Sequence, residues 1–155
     1  MTGTVEDKLK SLGVSLPPAA KPAGSYVPVV QSGNLLFISG QIPMGPDGLQ
    51  YIGKCGAGMS VEDAQAAAKM CALNILGQVK GAVGSLDKVA RIVKLNGFVN
   101  STPDFPDHPK VINGASDFFV EVFGEKGQHA RAAVGVANLP FGVAVEVEAI
   151  VEITP

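Results

Sequence analysis

The stretch VAVEVEAIVEI, residues 143–153, constrains this chain more than any other. Side chains alternate across a strand, so Val143, Val145, Val147, Ala149, Val151 and Ile153 make one row. Glu146, Glu148, Ile150 and Glu152 make the other. The apolar row must be covered, and two segments offer helices to cover it. SVEDAQAAAKMCALNILGQVKGAVG (60–84) opens with Ser60 and an acidic residue three positions on, as a capping box does. It then repeats apolar residues at 68, 72, 75, 76, 79 and 83. KVINGASDFFVEVFG (110–124) follows Pro109, which suits a first helical turn, and Phe118, Phe119, Val122 and Phe123 give it a wide apolar stripe.

The remaining strands are short or β-branched. YVPVV and LLFISGQIP read as two strands joined by QSGN, LQYIG as a third, and VARIVKLNGFVN (89–100) as a long one. ARAAVGVA reaches the closing strand through the short link NLPFG. The order β-β-β, helix, β, helix, β-β favours an α+β fold: a mixed, mostly antiparallel sheet with two helices on one face. The 155 residues suit one domain spanning 1–155, with 1–22 as an N-terminal arm. In that arm VEDKLKSLG is a short helix and the Pro/Ala-rich SLPPAAKPAG an extended connector. The arm is expected to lie over a neighbouring subunit.

Composition removes several classes of function. A formal net charge of -2 without a basic cluster gives little reason to expect nucleic-acid binding. There is no eighteen-residue apolar run, and the opening MTGTVEDKLK is charged, so neither a membrane span nor export is expected and the cytoplasm is the default location. Cys55 and Cys71 are far apart and are expected as free thiols, Cys71 as a small hydrophobe. GKCGAGMS (53–60) lacks the spacing of a phosphate-binding loop and reads as a helix entry. DFPDHP gathers Asp104, Asp107 and His108, read as a capping loop and not as a metal site.

HARAAVGVANLP (129–140) carries the chemistry. Ala130, Ala132, Val134 and Val136 share one face of this strand; Arg131, Ala133, Gly135 and Ala137 share the other. A hairpin with the closing strand that keeps both apolar rows together puts Arg131 beside Glu146 and Glu148. That pairing allows two readings. One is an ion pair on a solvated sheet face or at a subunit contact. The other is a carboxylate-binding arginine in a recess floored by alanine and glycine, with a glutamate to handle the proton of a water. A bare sheet face cannot enclose a ligand, so the walls would come from an oligomer contact, to which Tyr26 and Phe37 could contribute. His129 is placed in the turn before the strand, without a catalytic role.

AGSYVPVV, LLFISGQIP, VINGASDFF and above all HARAAVGVANLPFGVAVEVEAI resemble the RidA (YjgF/YER057c/UK114) family, in its longer branch with an N-terminal arm. The resemblance covers roughly residues 22 to 153 and implies a chorismate-mutase-like fold, a homotrimer and three sites in the clefts between subunits. It implies hydrolysis of reactive 2-enamino and 2-imino acids, of the 2-iminobutanoate and 2-iminopropanoate type, to 2-keto acids and ammonia, with no metal or organic cofactor. By the same resemblance Arg131 holds the substrate carboxylate and Glu146 serves the attacking water. Tyr26, Ser39 with Gly40, Asn113 and Ala133 would line the substrate. Ala133 stands where many members have cysteine, Ser25 replaces a common proline, and one extra residue separates Asn113 from Arg131. Two other functions stay open: a keto-acid sensor that binds without turnover, and an endoribonuclease.

Overall fold

The computed structural model describes residues 4–19, 21 and 24–155; the expected arm, 1–22, lies partly outside them. The elements run α1 (Thr4–Ser11), β1 (Val29–Ser32), β2 (Leu35–Gln41), β3 (Met44–Gly45), β4 (Gly48–Leu49), β5 (Lys54–Cys55) and β6 (Gly58–Met59). They continue with α2 (Val61–Val83), β7 (Val89–Asn100), α3 (His108–Phe123), β8 (Ala130–Val136) and β9 (Val145–Ile153).

Local chemistry sets the boundaries. Ser60 caps α2 by accepting from the Asp63 amide at 3.1 Å, and Gly84 closes it in the left-handed region at φ 87°. Gly33, at φ 60°, makes the turn between β1 and β2. The expected third strand over LQYIG does not join the main sheet. Tyr51 sits at φ 55°, which breaks extended geometry; Gly48–Leu49 pairs with Met44–Gly45, and Ile52 makes an isolated bridge to Val143.

The main sheet has the order β1-β2-β9-β7-β8, mixed and mostly antiparallel as expected. All pairs are antiparallel except β7 with β8, which α3 joins as a helical crossover. Helix α2 packs on β2 and β9, and α3 on β7 and β8, so both cover the same face. Leu95, Val99, Val145, Val147, Ile75, Ile112 and Phe119 are fully buried between the layers. Each large side chain so buried contributes about 1.5–3 kcal/mol. Gly97 lets α3 settle onto the sheet, because a Cβ there would stand 2.5 Å from Ile112 Cδ1.

A third helix, α1, packs against α3 and the 3-10 turn at Leu86–Lys88 of its own chain. Asp87 holds its first turn, accepting from the Thr4 and Val5 amides at 2.9 Å each, and Leu9 is buried. This part of the arm therefore packs on its own subunit. Among the described residues no helix is long and apolar enough to cross a membrane.

The hairpin of β8 with β9 does not form. The link Asn138–Ala144 passes over the end of β7, turning through Phe141 (φ 59°) and Gly142 (φ 73°). Asn100, the last residue of β7, anchors the crossing: its amide donates to the Ala144 carbonyl at 2.9 Å, and its side chain donates to the carbonyls of Val143 and Gly53.

Candidate functional site

With β7 between them, Arg131 and Glu146 are neither neighbours nor on one face. Arg131 is in register with Leu95, and Leu95 with Ala149, both under the helices. Glu146 is in register with Phe98 on the opposite face. Two strand spacings and three residues of offset put the two backbones roughly 14 Å apart, with their side chains diverging. The expected Arg131–Glu146 contact is thus absent from this chain. The row of small residues serves the packing of α3. Ala133 packs against the core, and a Cβ on Gly135 would stand 2.3 Å from His108 Nε2 and 2.6 Å from Ser101 Oγ. The row expected to floor a substrate recess instead lets the start of α3 close on the edge strand.

Two clusters result. In the first, Arg131 Nη1 donates to Asn113 Oδ1 at 2.8 Å and to Ser116 Oγ at 3.1 Å, both on α3. Among the described residues no carboxylate lies within ion-pair distance of Arg131. Both Nη1 hydrogens are committed to neutral oxygens, which leaves Nε–H and the Nη2 hydrogens of an exposed guanidinium turned outward. Ser116 Oγ is in turn 2.8 Å from His129 Nε2, and His129 Nδ1 is 2.6 Å from the Gly127 carbonyl. Sequence reading found Arg131 and Asn113 but missed Ser116 and set His129 aside. The signal for Ser116 was its place three residues, about one helical turn, beyond Asn113.

The second cluster surrounds Glu146. A bulge in β2 between Ile38 and Gln41 brings Gly40 onto Glu146, so closely that a Cβ there would lie 2.4 Å from Oε2. Burial, and then the charge of Glu148, holds the Glu146 carboxyl above its ordinary value. Glu148 itself accepts from Asn96 Nδ2 at 3.1 Å. A cavity of about 410 Å³ opens beside Glu146, lined by Tyr26, Gly40, Gln41, Asn74 and Phe141 among others. Tyr26 and Phe141 stand 54% and 69% exposed at its mouth. Ser39 is not available to a ligand through its hydroxyl proton, which goes to the Val27 carbonyl at 2.9 Å. It fastens the segment carrying Tyr26 instead.

The expected sites therefore sort into two groups: Arg131, Asn113 and Ala133 on the helix side of β8, and Glu146, Gly40, Tyr26 and Ser39 around the bulge. Phe37 and Val134, 43% and 45% exposed, lie on the sheet face that the helices leave open. Asp104 accepts the Thr102 hydroxyl, and Asp107 occupies the N-cap position of α3 without a capping bond. His108 Nε2 is 3.1 Å from Ser101 Oγ, so these three residues do not converge. Among the described residues no group of three His, Cys, Asp or Glu side chains could hold a metal ion. Cys55 and Cys71 are free and buried.

Comparison with known proteins agrees in fold and in length. Residues 6–152 match the family model described as "YjgF/chorismate_mutase-like, putative endoribonuclease". Protein TCP17 of Trypanosoma cruzi is 52% identical over 153 residues, 98% of this chain and 96% of that one. The 2-iminobutanoate/2-iminopropanoate deaminase of Salmonella typhimurium is 36% identical over 143 residues, 91% of this chain and 95% of its own. Among solved structures, Atu1372 of Agrobacterium tumefaciens, of unknown function, superposes with a TM-score of 0.90 at 51% identity, covering 97% of this chain and 94% of that one. Escherichia coli TdcF with bound serine superposes with a TM-score of 0.65 at 28% identity, covering 88% and 94%.

Proposed function

The chain belongs to the YjgF/RidA family, and from that premise we propose that it hydrolyses 2-imino acids at sites completed between copies of itself in a homotrimer. The observation that carries the proposal is Arg131: a guanidinium held by neutral Asn113 and Ser116, with no carboxylate partner among the described residues and three N–H groups left for one. Arg131 and Glu146 face opposite ways, so a ligand that meets both requires two chains. The open face carrying Phe37, Val30 and Val134 supplies an apolar contact for that assembly. A relative that binds serine and another named as an imine deaminase support an amino-acid-sized substrate.

In this mechanism Arg131 fixes the carboxylate of the protonated imine, whose C=N carbon is already electrophilic. A water adds to that carbon while the Glu146 carboxylate takes its proton, giving a carbinolamine. The proton returns to nitrogen, the C–N bond breaks as the Glu146 carboxylate takes the remaining hydroxyl proton, and ammonia leaves a 2-keto acid. The raised pKa of Glu146 makes its carboxylate a stronger base than a solvated one. Tyr26 and Phe141 shield the reacting carbon from bulk water.

An amino-acid oxidase that releases imino acids, with the disappearance of free imine followed in time, tests this. Wild-type protein should accelerate the loss, and Arg131→Ala should abolish the acceleration with the oligomer intact. Unchanged activity in that variant would remove Arg131 from the mechanism. Keto-acid binding without turnover would make the protein a sensor.

A further inference from the structure

Arg131 is the last link of a longer chain, and that chain has one direction only. The Gly127 carbonyl can only accept, so His129 Nδ1 carries the hydrogen of their 2.6 Å bond. In a neutral imidazole Nε2 is then a lone pair, and the 2.8 Å contact must be donated by the Ser116 hydroxyl. With its one proton committed, Ser116 Oγ offers a lone pair to Arg131 Nη1 at 3.1 Å. A hydroxyl that donates accepts more strongly, so each bond supports the next.

His129 is itself set firmly. Its ring meets Phe119 edge-on, with centroids 6.3 Å apart at 80°. Burial holds its pKa below the ordinary value; the Gly127 carbonyl opposes this, and the charges of Arg131 and Arg91 add to it. Arg91 donates to the Gln128 carbonyl at 2.8 Å, so a second cation stands beside the turn leading to His129. From α3 the ring faces uncharged Ser116 and Phe119.

We propose that Ser116 and His129 are positioning residues for Arg131, and that their chain of hydrogen bonds selects the Nε–Nη2 edge of the guanidinium as the edge that meets the substrate carboxylate. The proposal rests on the carboxylate-binding role given to Arg131 above. Without an acceptor at position 129, a serine within a helix can swing its Oγ to donate to the carbonyl one turn back, which takes its lone pair away from Arg131 Nη1. Without the hydroxyl, Nη1 keeps only Asn113, and the fork can rotate about that single bond. Neither residue touches the reacting atoms, so binding should suffer and the chemical step should not.

The experiment compares Ser116→Ala, His129→Phe and His129→Gln with wild type. Phenylalanine keeps the ring but offers no acceptor; glutamine restores an acceptor in place of Nε2. Ser116→Ala and His129→Phe should raise KM about tenfold and leave kcat within about twofold, whereas His129→Gln should keep KM within about twofold of wild type. Pyruvate affinity measured by calorimetry should follow KM. Equal KM in all four folded proteins would overturn the proposal, as would a His129→Gln variant as impaired as His129→Phe. Nitrogen-15 NMR of the His129 ring gives a readout without ligand, with Nδ1 protonated as the expected tautomer and Nε2 protonated as the refuting one. Failure of the underlying reading looks different: wild-type protein neither hydrolyses imines nor binds pyruvate, or Arg131→Ala does both unchanged.

Discussion

Gly40→Ala separates the position of Glu146 from the stability of the fold. Gly40 is not among the positive-φ glycines, so alanine meets no backbone penalty there. The added Cβ would lie 2.4 Å from Glu146 Oε2, 2.9 Å from Cδ and 3.1 Å from Cγ. The carboxylate must retreat by at least about 0.6 Å to reach the 3.0 Å that such contacts require. Misplacing a catalytic group by 1 Å can cost about 100-fold, so kcat for imine hydrolysis should fall by about 10- to 100-fold. The end of a glutamate side chain can yield, so thermal midpoint should hold within a few degrees. Gly33→Ala is the mirror control. It sits at φ 60° with open space around it, and should cost about 1 kcal/mol of stability by backbone strain while sparing turnover. The measurements are the oxidase-coupled imine assay and a melting curve for each variant. Full activity in a folded Gly40→Ala protein would refute the placement of Glu146 as the group that serves the water.

Two further outcomes are expected. The rise of kcat/KM with pH should have its midpoint above the ordinary glutamate value, because the neutral Glu146 carboxyl is favoured by burial and then by Glu148. Glu148→Gln should move that midpoint to lower pH, and a profile unmoved by it would remove the Glu148 charge from the account. The same raised pKa makes Glu146 a stability term present at low pH and lost as pH rises through its folded value. Cys55 and Cys71 are buried, and burial raises the pKa of both thiols, so an aromatic disulfide reagent at pH 8 should label neither in native protein and both after unfolding.

Elements defined by short-range chemistry were legible in the sequence. Ser60 and Gly84 bound α2 as their side-chain types suggest, and the alternation of residues 143–153 names the buried face of β9 correctly. The misreading came where chain neighbours are not spatial neighbours. NLPFG looks like a hairpin loop, yet two left-handed residues carry it across β7. The sixteen residues of α3 between β7 and β8 are a crossover that pairs those strands in parallel, and that was the usable clue. Alternation in β8 splits its residues into the right rows, but the more apolar row, with Val134 and Val136, is the one turned away from the helices. Close approach of His108 and Ser101 to Gly135 decides it, and such contacts arise only in the packed fold. Ser116 and His129 stayed hidden for the same reason: thirteen residues apart, they meet only because α3 folds back beside β8.

The placement of β7 between β8 and β9 has a consequence for inheritance. In the assembly proposed above, each cleft takes its arginine from one polypeptide and its glutamate from the next. An allele lacking Arg131 still encodes a sound glutamate half, and an allele lacking Glu146 a sound arginine half. Coexpressed and freely mixed, two such dead products would regain roughly a quarter of their clefts intact. The two losses would behave as separate genetic functions, although a single gene encodes both.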